Sequence, residues 1–337
     1  MKNVLVTGAN GHVGNILVRL LVEKGYKVRA SVRDPKNKEI IKPLEGLSVE
    51  IIAADIMKPE TLVGATKGMD GVFQVAAVYT TISDNPQKDI IDPSVIGGIN
   101  VLQACKDAGV KKVVFTSSVA AIGSDSQASK PLTEENWNDK AASPYMFAKT
   151  EAEKKAWEFA KKNNLNLVTI CPSGVLGPGF YRHTPTTQPF ELALRGQLPA
   201  VPRFGLGYVD VRDVAMAHLL AYENDKANGR YLATDQAFWL YDMLKLAKEL
   251  DNRVKLPFFE IPVAFAGIIP LFDWLGNKLT GAPRQISSEM IEDFNGKIQY
   301  ASSDKIKKEL GWKPMDIKQS LKDTLDWTYK TFISTQP

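Results

Sequence analysis

Cysteine and histidine are scarce in this chain, whose 337 residues hold two of the first and three of the second. Cys105 and Cys171 sit among apolar neighbours, form no C-x-x-C and are too few for a disulfide framework. That usage fits a reducing compartment and a buried, structural role. His12, His183 and His218 stand far apart, so neither a metal site nor a catalytic histidine is expected. An excess of one charge is also missing: 42 Lys and Arg against 38 Asp and Glu leave +4, and the basic residues are scattered along helical segments. Nucleic-acid binding is therefore not expected. The most apolar stretch, PVAFAGIIPLFDWLG at 262–276, is broken by Pro270 and Asp273. It falls short of the ~20 residues of a membrane span and reads as a buried or pocket-lining helix, with a membrane-surface contact as the alternative. The amino terminus runs into a glycine turn without the apolar core of a signal peptide, so a cytoplasmic protein is expected.

What is present is a rhythm. Short runs rich in Val and Ile, such as NVLVT, KVRASV, VEIIAAD, GVFQVAA, KKVVFTSS and LNLVTICPSG, alternate with longer segments of helical period. Strands that are apolar throughout and separated by helices predict a parallel sheet covered on both faces, a doubly wound α/β (Rossmann) domain. After about residue 172 the rhythm loosens and Pro and Gly thicken. The expected division is a dinucleotide-binding domain at 1–172, to which 208–236 returns, and a smaller, interdigitated substrate-binding region at 173–337.

Gly8, Gly11 and Gly14 fall between the first strand and the first helix, in VLVTGANGHVGNILVRLL. Glycines there permit the tight turn, the approach of a pyrophosphate to the backbone and close helix packing, while the helix start offers free N–H groups. At the end of the second strand Arg33, with Lys36 close by, suits the 2′-phosphate of NADPH. Asp34 would favour NAD instead if it faced the ribose. Asp55, closing the third strand, is placed to accept from the adenine amino group.

Tyr-x-x-x-Lys occurs three times, at Tyr145/Lys149, Tyr222/Lys226 and Tyr241/Lys245. Only the first follows a strand ending in serine, Ser117 and Ser118, and open α/β sheets seat their ligands beyond such ends. Ser143 as cap and Pro144 at the first helical position open its helix. Residues i and i+4 share a face, so Tyr145 and Lys149 project together. Lys149, with the oxidised nicotinamide, is expected to lower the tyrosine pKa from its usual ~10. Tyr145 then protonates a carbonyl oxygen, Ser118 stabilises the charge on that oxygen, and Lys149 also holds the ribose hydroxyls.

With these residues in this order the chain resembles the extended short-chain dehydrogenase/reductases. VRASVRDP, VVFTSS, CPSGVLGPG and YVDVRDVAMAH look most like the branch of dihydroflavonol reductases, cinnamoyl-CoA reductases and microbial ketone and aldehyde reductases. ELGWKPMDIKQSLKDTLDW at 309–327 extends the likeness over nearly the whole chain. The resemblance implies cofactor contacts from Gly8, Gly11, His12, Val13, Gly14, Arg33, Asp55, Ile56, Ala76, Lys149, Pro172 and Val175. It departs from many relatives at Gln74, where they carry a histidine, and at Asp210, which follows the microbial style.

The leading expectation is NADPH-dependent reduction of an aldehyde or ketone by a monomer or homodimer without metal. The substrate is a modest, largely apolar carbonyl compound passing Tyr79, Ala120, Tyr145 and the loop 174–188, with Gly174 and His183 as further contacts. For His183 a plain loop residue is the leading reading and a substrate contact the alternative. A nucleotide-sugar epimerase or dehydratase with retained NAD shares the same residues, and a non-catalytic NADP-sensing regulator shares the fold.

Overall fold

The computed structural model describes residues 2–125, 130–281, 284 and 286–334. In chain order the strands are β1 Asn3–Thr7, β2 Lys27–Val32, β3 Glu50–Ala53, β4 Gly71–Gln74, β5 Lys112–Thr116 and β6 Leu167–Pro172. They continue with β7 Gly174–Leu176, β8 Ala200–Pro202, β9 Gly205–Asp210, β10 Gly229–Ala233, β11 Gln236–Trp239 and β12 Phe259–Ile261.

Seven strands form one sheet in the order β3-β2-β1-β4-β5-β6-β10, parallel at every pairing. The residue alternation explains why it is covered on both faces. In β1, Val4 and Val6 join one core and Leu5 the other; in β5, Val114 joins the first and Val113 and Phe115 the second. The first core is closed by helices His12–Glu23 and Val211–Glu223, through Leu17, Leu21, Val214 and Leu219. Helices Pro59–Thr66, Asp92–Asp107 and Pro144–Asn163 close the second, through Leu62, Leu102, Ala156 and Ala160. Each large aliphatic side chain fully buried this way is worth about 1.5–3 kcal/mol. This is the doubly wound parallel sheet the alternation predicts.

The strand order reverses between β1 and β4, and that switch point opens a crevice at the carboxyl ends. Residues after β6 build a small sheet, β11-β9-β7, and a two-stranded pair, β12 with β8, over a third core of Leu176, Phe190, Met243, Leu244 and Leu321. Within this later half, β10 and the helix Val211–Glu223 pack with the large sheet.

The apolar stretch differs from its expectation. It folds as a 3-10 segment Val263–Ile268 and a helix Ile269–Thr280 that pack chiefly on each other. Phe265 is 61% exposed and Phe272 64%. Pro262 opens the run and Pro270 divides it into two pieces, neither long enough to lay a continuous face on the core. No helix among the described residues is long and apolar enough to cross a membrane.

Candidate active site

The glycine turn is sterically committed. Gly8 has φ +62°, and a Cβ there would lie 2.7 Å from Cα of Ala76; one on Gly14 would lie 2.2 Å from the Gly8 carbonyl oxygen. The turn thus presses against the residue after β4 and brings the helix start onto the strand, a cradle that fits a dinucleotide pyrophosphate. Val13 opens that helix beside His12. The His12 ring is engaged elsewhere: Nε2 donates to the Pro178 carbonyl at 3.1 Å, and the ring meets Phe180 edge-on at 5.2 Å. Burial pushes its pKa down to about 4, so it is neutral. What His12 and Val13 offer a phosphate is backbone N–H at the first helical turn.

A buried clamp that sequence reasoning missed fixes the end of β4. Thr7 Oγ1 donates to Gln74 Oε1 at 3.2 Å and accepts from the N–H groups of Val75 and Ala76, both at 3.0 Å. Gln74 Nε2 donates to the Ala76 carbonyl at 3.1 Å. Gln74 is therefore a structural amide here, and the signal for it was a polar pair at two adjacent strand ends.

Around the rim, Arg33 lies exposed after β2 and makes no hydrogen bond or ion pair among the described residues. Asp34 accepts from the backbone N–H of Lys36 at 3.0 Å, closing a local turn. After β3, Asp55 likewise accepts from Met57 N–H at 3.0 Å, and Ile56 packs where a Cβ on Gly97 would stand. Pro172 ends β6 opposite Ala233, and Val175 lies opposite Val209 in the small sheet.

Tyr145, Lys149, Ser118 and Tyr79 come together beyond β4 and β5. The Tyr145 ring lies 5.3 Å from that of Tyr79, and Lys149 Nζ is 5.8 Å from its centroid. Tyr79 and Thr186 share a hydroxyl–hydroxyl hydrogen bond at 3.0 Å, which ties this cluster to the loop after β7. Ser118 Oγ accepts from Ala120 N–H at 3.1 Å, leaving its own O–H to point at an acceptor. Lys149 is buried in a narrow cleft lined by Gln74, Ala76, Ser94, Thr116 and Ser117.

The protonation states correct one expectation. In the protein alone Tyr145 is not lowered: burial, then neighbouring Tyr79, hold its phenol well above the usual range, and a hydrogen bond with Ser118 pulls the other way. Lys149 is the group that moves toward neutrality, down to about 8, because burial outweighs the attraction of Glu153. Ser143 also differs. It stands at the cap position, but its side chain makes no capping bond. Asp293, buried and 150 residues away, accepts instead from Ala142 N–H at 2.9 Å and Ser143 N–H at 2.8 Å.

The other two pairs stand apart. Tyr222 packs in the first core, 5.2 Å from Phe73, with Lys226 exposed. Lys245 sits 5.4 Å from the Tyr241 centroid but pairs with Asp242 at 2.6 Å on a surface helix. Lysine over tyrosine is thus not particular to Tyr145, since Lys245 approaches Tyr241 in the same way; serine and the strand ends distinguish Tyr145. Gly174 is pressed against the Gly207 carbonyl in the small sheet, where a Cβ would lie 3.0 Å away. His183 is taken up by Phe332, 3.9 Å between centroids, and by Glu191 at 3.0 Å, which weighs against its role as a substrate contact.

Residues 4–233 match the NAD dependent epimerase/dehydratase family. The chain belongs to that family. Among curated relatives of this epimerase/dehydratase chain, cinnamoyl-CoA reductase CAD2 of Medicago truncatula is 34% identical, over 75% of this chain and 82% of its own. Dihydroflavonol 4-reductase of Zea mays is 34% identical, over 88% and 84%. Among solved structures, Gre2 of Candida albicans in complex with NADPH superimposes with a TM-score of 0.75 at 26% identity, covering 98% of this chain and all of that one. The chain is an extended short-chain dehydrogenase/reductase and an NAD(P)-dependent oxidoreductase.

Proposed function

We propose that this chain reduces an aldehyde or ketone to the alcohol with NADPH, and that Tyr145 is the proton donor. The observation that carries the reading is a tyrosine kept protonated by burial, beside Ser118 and with Lys149 Nζ 5.8 Å from its ring, near a glycine cradle. A reduction starts from the protonated phenol, so the burial that raises Tyr145 suits this direction. The bound nicotinamide cofactor supplies the hydride. Ser118 donates to the carbonyl oxygen and stabilises its developing charge. Tyr145 delivers the proton to that oxygen, and the Lys149 ammonium favours the phenolate left behind and holds the ribose hydroxyls.

Gly8, Gly11, Gly14 and the backbone of His12 and Val13 would hold the pyrophosphate, with Asp55, Ile56, Ala76, Pro172 and Val175 around the remainder of the cofactor. Arg33 and Lys36 would hold the 2′-phosphate. Support comes from the unpaired, exposed guanidinium of Arg33, from Asp34 being used in its own turn, and from the NADPH named with Gre2. In this reading residues 1–172 with 208–236 carry the cofactor, and 173–337 shape the substrate site beside Tyr79 and Ala120. The relatives named as reductases favour a carbonyl substrate.

Titrating both cofactors tests the assignment. NADPH is expected to bind more tightly than NADH, and Arg33→Ala to weaken NADPH selectively by about one to two decades, the worth of a charge-assisted bidentate contact. Equal affinities in the native protein, or equal losses in the variant, would contradict it. NAD retained through purification would point to the epimerase chemistry of the family instead.

A further inference from the structure

Helix Pro144–Asn163 carries a third residue on the face of Tyr145 and Lys149, and the reaction leaves it unused. Glu153, one further turn along, is fully buried. Both its oxygens are saturated: Oε1 accepts from Arg230 Nε at 2.9 Å and Thr169 Oγ1 at 2.7 Å, Oε2 from Arg230 Nη2 at 3.0 Å and Ser117 Oγ at 2.6 Å. Arg230, also buried, lies on β10. Its Nη1 donates to the carbonyls of Glu134 and Asn136 at 2.9 and 2.8 Å, and its guanidinium stands 3.6 Å over the Trp137 ring. That segment reaches back to the serine end, because Asn138 Nδ2 donates to the Ala120 carbonyl at 3.0 Å. One ion pair therefore joins the Tyr145 helix, the strand end that bears Ser118, β6, β10 and the loop under that strand end.

Such a pair is a costly way to fill space, since apolar side chains of similar volume often fold as well or better. What it supplies that they do not is a carboxylate held one turn from Lys149 on the same helix, with its compensating cation on β10. Lys149 makes no hydrogen bond or ion pair of its own among the described residues. The titratable and charged groups around it are Tyr145 and Glu153 on its own helix, Tyr79 beyond β4, Cys171 on β6 and Arg230 on β10. Gln74, Ser94, Thr116 and Ser117, which line the rest of its cleft, do not titrate in this range.

We propose that Glu153 and Arg230 are a positioning pair that keeps Lys149 cationic beneath Tyr145 and holds the Ser118 strand end in register with the Tyr145 helix. The proposal rests on the reductase reading for its consequence in turnover, but the charge on Lys149 is measurable without any substrate. The test is an NMR titration of the protein with 13C at the lysine Cε, Lys149 being assigned by its loss in Lys149→Met. Glu153→Gln keeps the shape and removes the charge. Its Lys149 is expected to titrate about one pH unit lower than in the native protein. The basic limb of the turnover profile should move down with it, and kcat should fall about fivefold at pH 8. Glu153→Asp, which retains the charge, should recover most of the shift.

A folded Glu153→Gln protein with Lys149 titrating as in the native chain overturns the proposal, whatever its activity. If Glu153→Gln does not fold, the double variant Glu153→Met with Arg230→Met decides. It is expected to fold and to show Lys149 lowered, and an unmoved Lys149 there overturns the proposal equally. A native protein in which no aldehyde or ketone supports NADPH oxidation would sink the reductase reading, while the titration still judges the pair.

Discussion

At the scale of single residues, burial outweighs attraction at the site. Lys149 loses more by leaving water than it gains from Glu153, which brings it to about 8, within reach of ordinary buffers. Because the cation is the active form, its contribution is complete well below pH 8 and is lost as pH rises through that value. Tyr145, held well above its usual range, keeps its proton across the same interval and adds no second basic limb there. Reduction under saturating NADPH is therefore expected to be level from pH 6 to 7 and to decline above about 8. Lys149→Met should abolish that decline, weaken NADPH and lower turnover together. Stopped-flow turnover against pH, with the cofactor titrated alongside, checks it; a native profile still rising at pH 9 would contradict it.

At the scale of elements, the helix Pro144–Asn163 depends on a residue that no local pattern announces. Asp293→Ala leaves the N–H groups of Ala142 and Ser143 without their acceptor. The expected loss is about 1–3 kcal/mol in urea unfolding, with reduced turnover and little change in NADPH affinity. Asp293→Asn, which keeps one acceptor, should lose less; equal stability of Ala and native proteins would show the contacts to be idle. The glycine turn, the strands and the Tyr145 helix were legible because each is written in local spacing: three glycines at one junction, Val and Ile runs, Pro behind Ser. Thr7 with Gln74, Glu153 with Arg230, and Asp293 were not, because their partners lie 67, 77 and 150 residues away. Glu153 came nearest to legibility, at the i+8 position of the Tyr145 face, but the charges around it in TEAEKKAWE read as a solvated surface.

At the scale of the whole molecule, the large sheet, closed by β10 and its preceding helix, is a fully covered core, while the stretch 258–279 keeps Phe258, Phe265, Phe272 and Leu279 in solvent. Phe258→Ser and Phe272→Ser are each expected to change unfolding free energy by less than about 0.5 kcal/mol. Leu5→Ala, in the sheet, should cost about 2–5; a loss of that size at Phe258 would mean the face is covered in solution. Hydropathy misled here because it records how apolar a run is, and not whether prolines let it lie flat on a core. The central claim concerns the chemistry all of this positions. The direct measurement is single-turnover NADPH oxidation by an active aldehyde or ketone, comparing Tyr145→Phe with Tyr222→Phe and Tyr241→Phe. Tyr145→Phe is expected to bind NADPH normally and to turn over about 10²–10⁴ times more slowly, with the other two near native. Near-native turnover in Tyr145→Phe, or a stalled reaction in either of the others, would contradict the account.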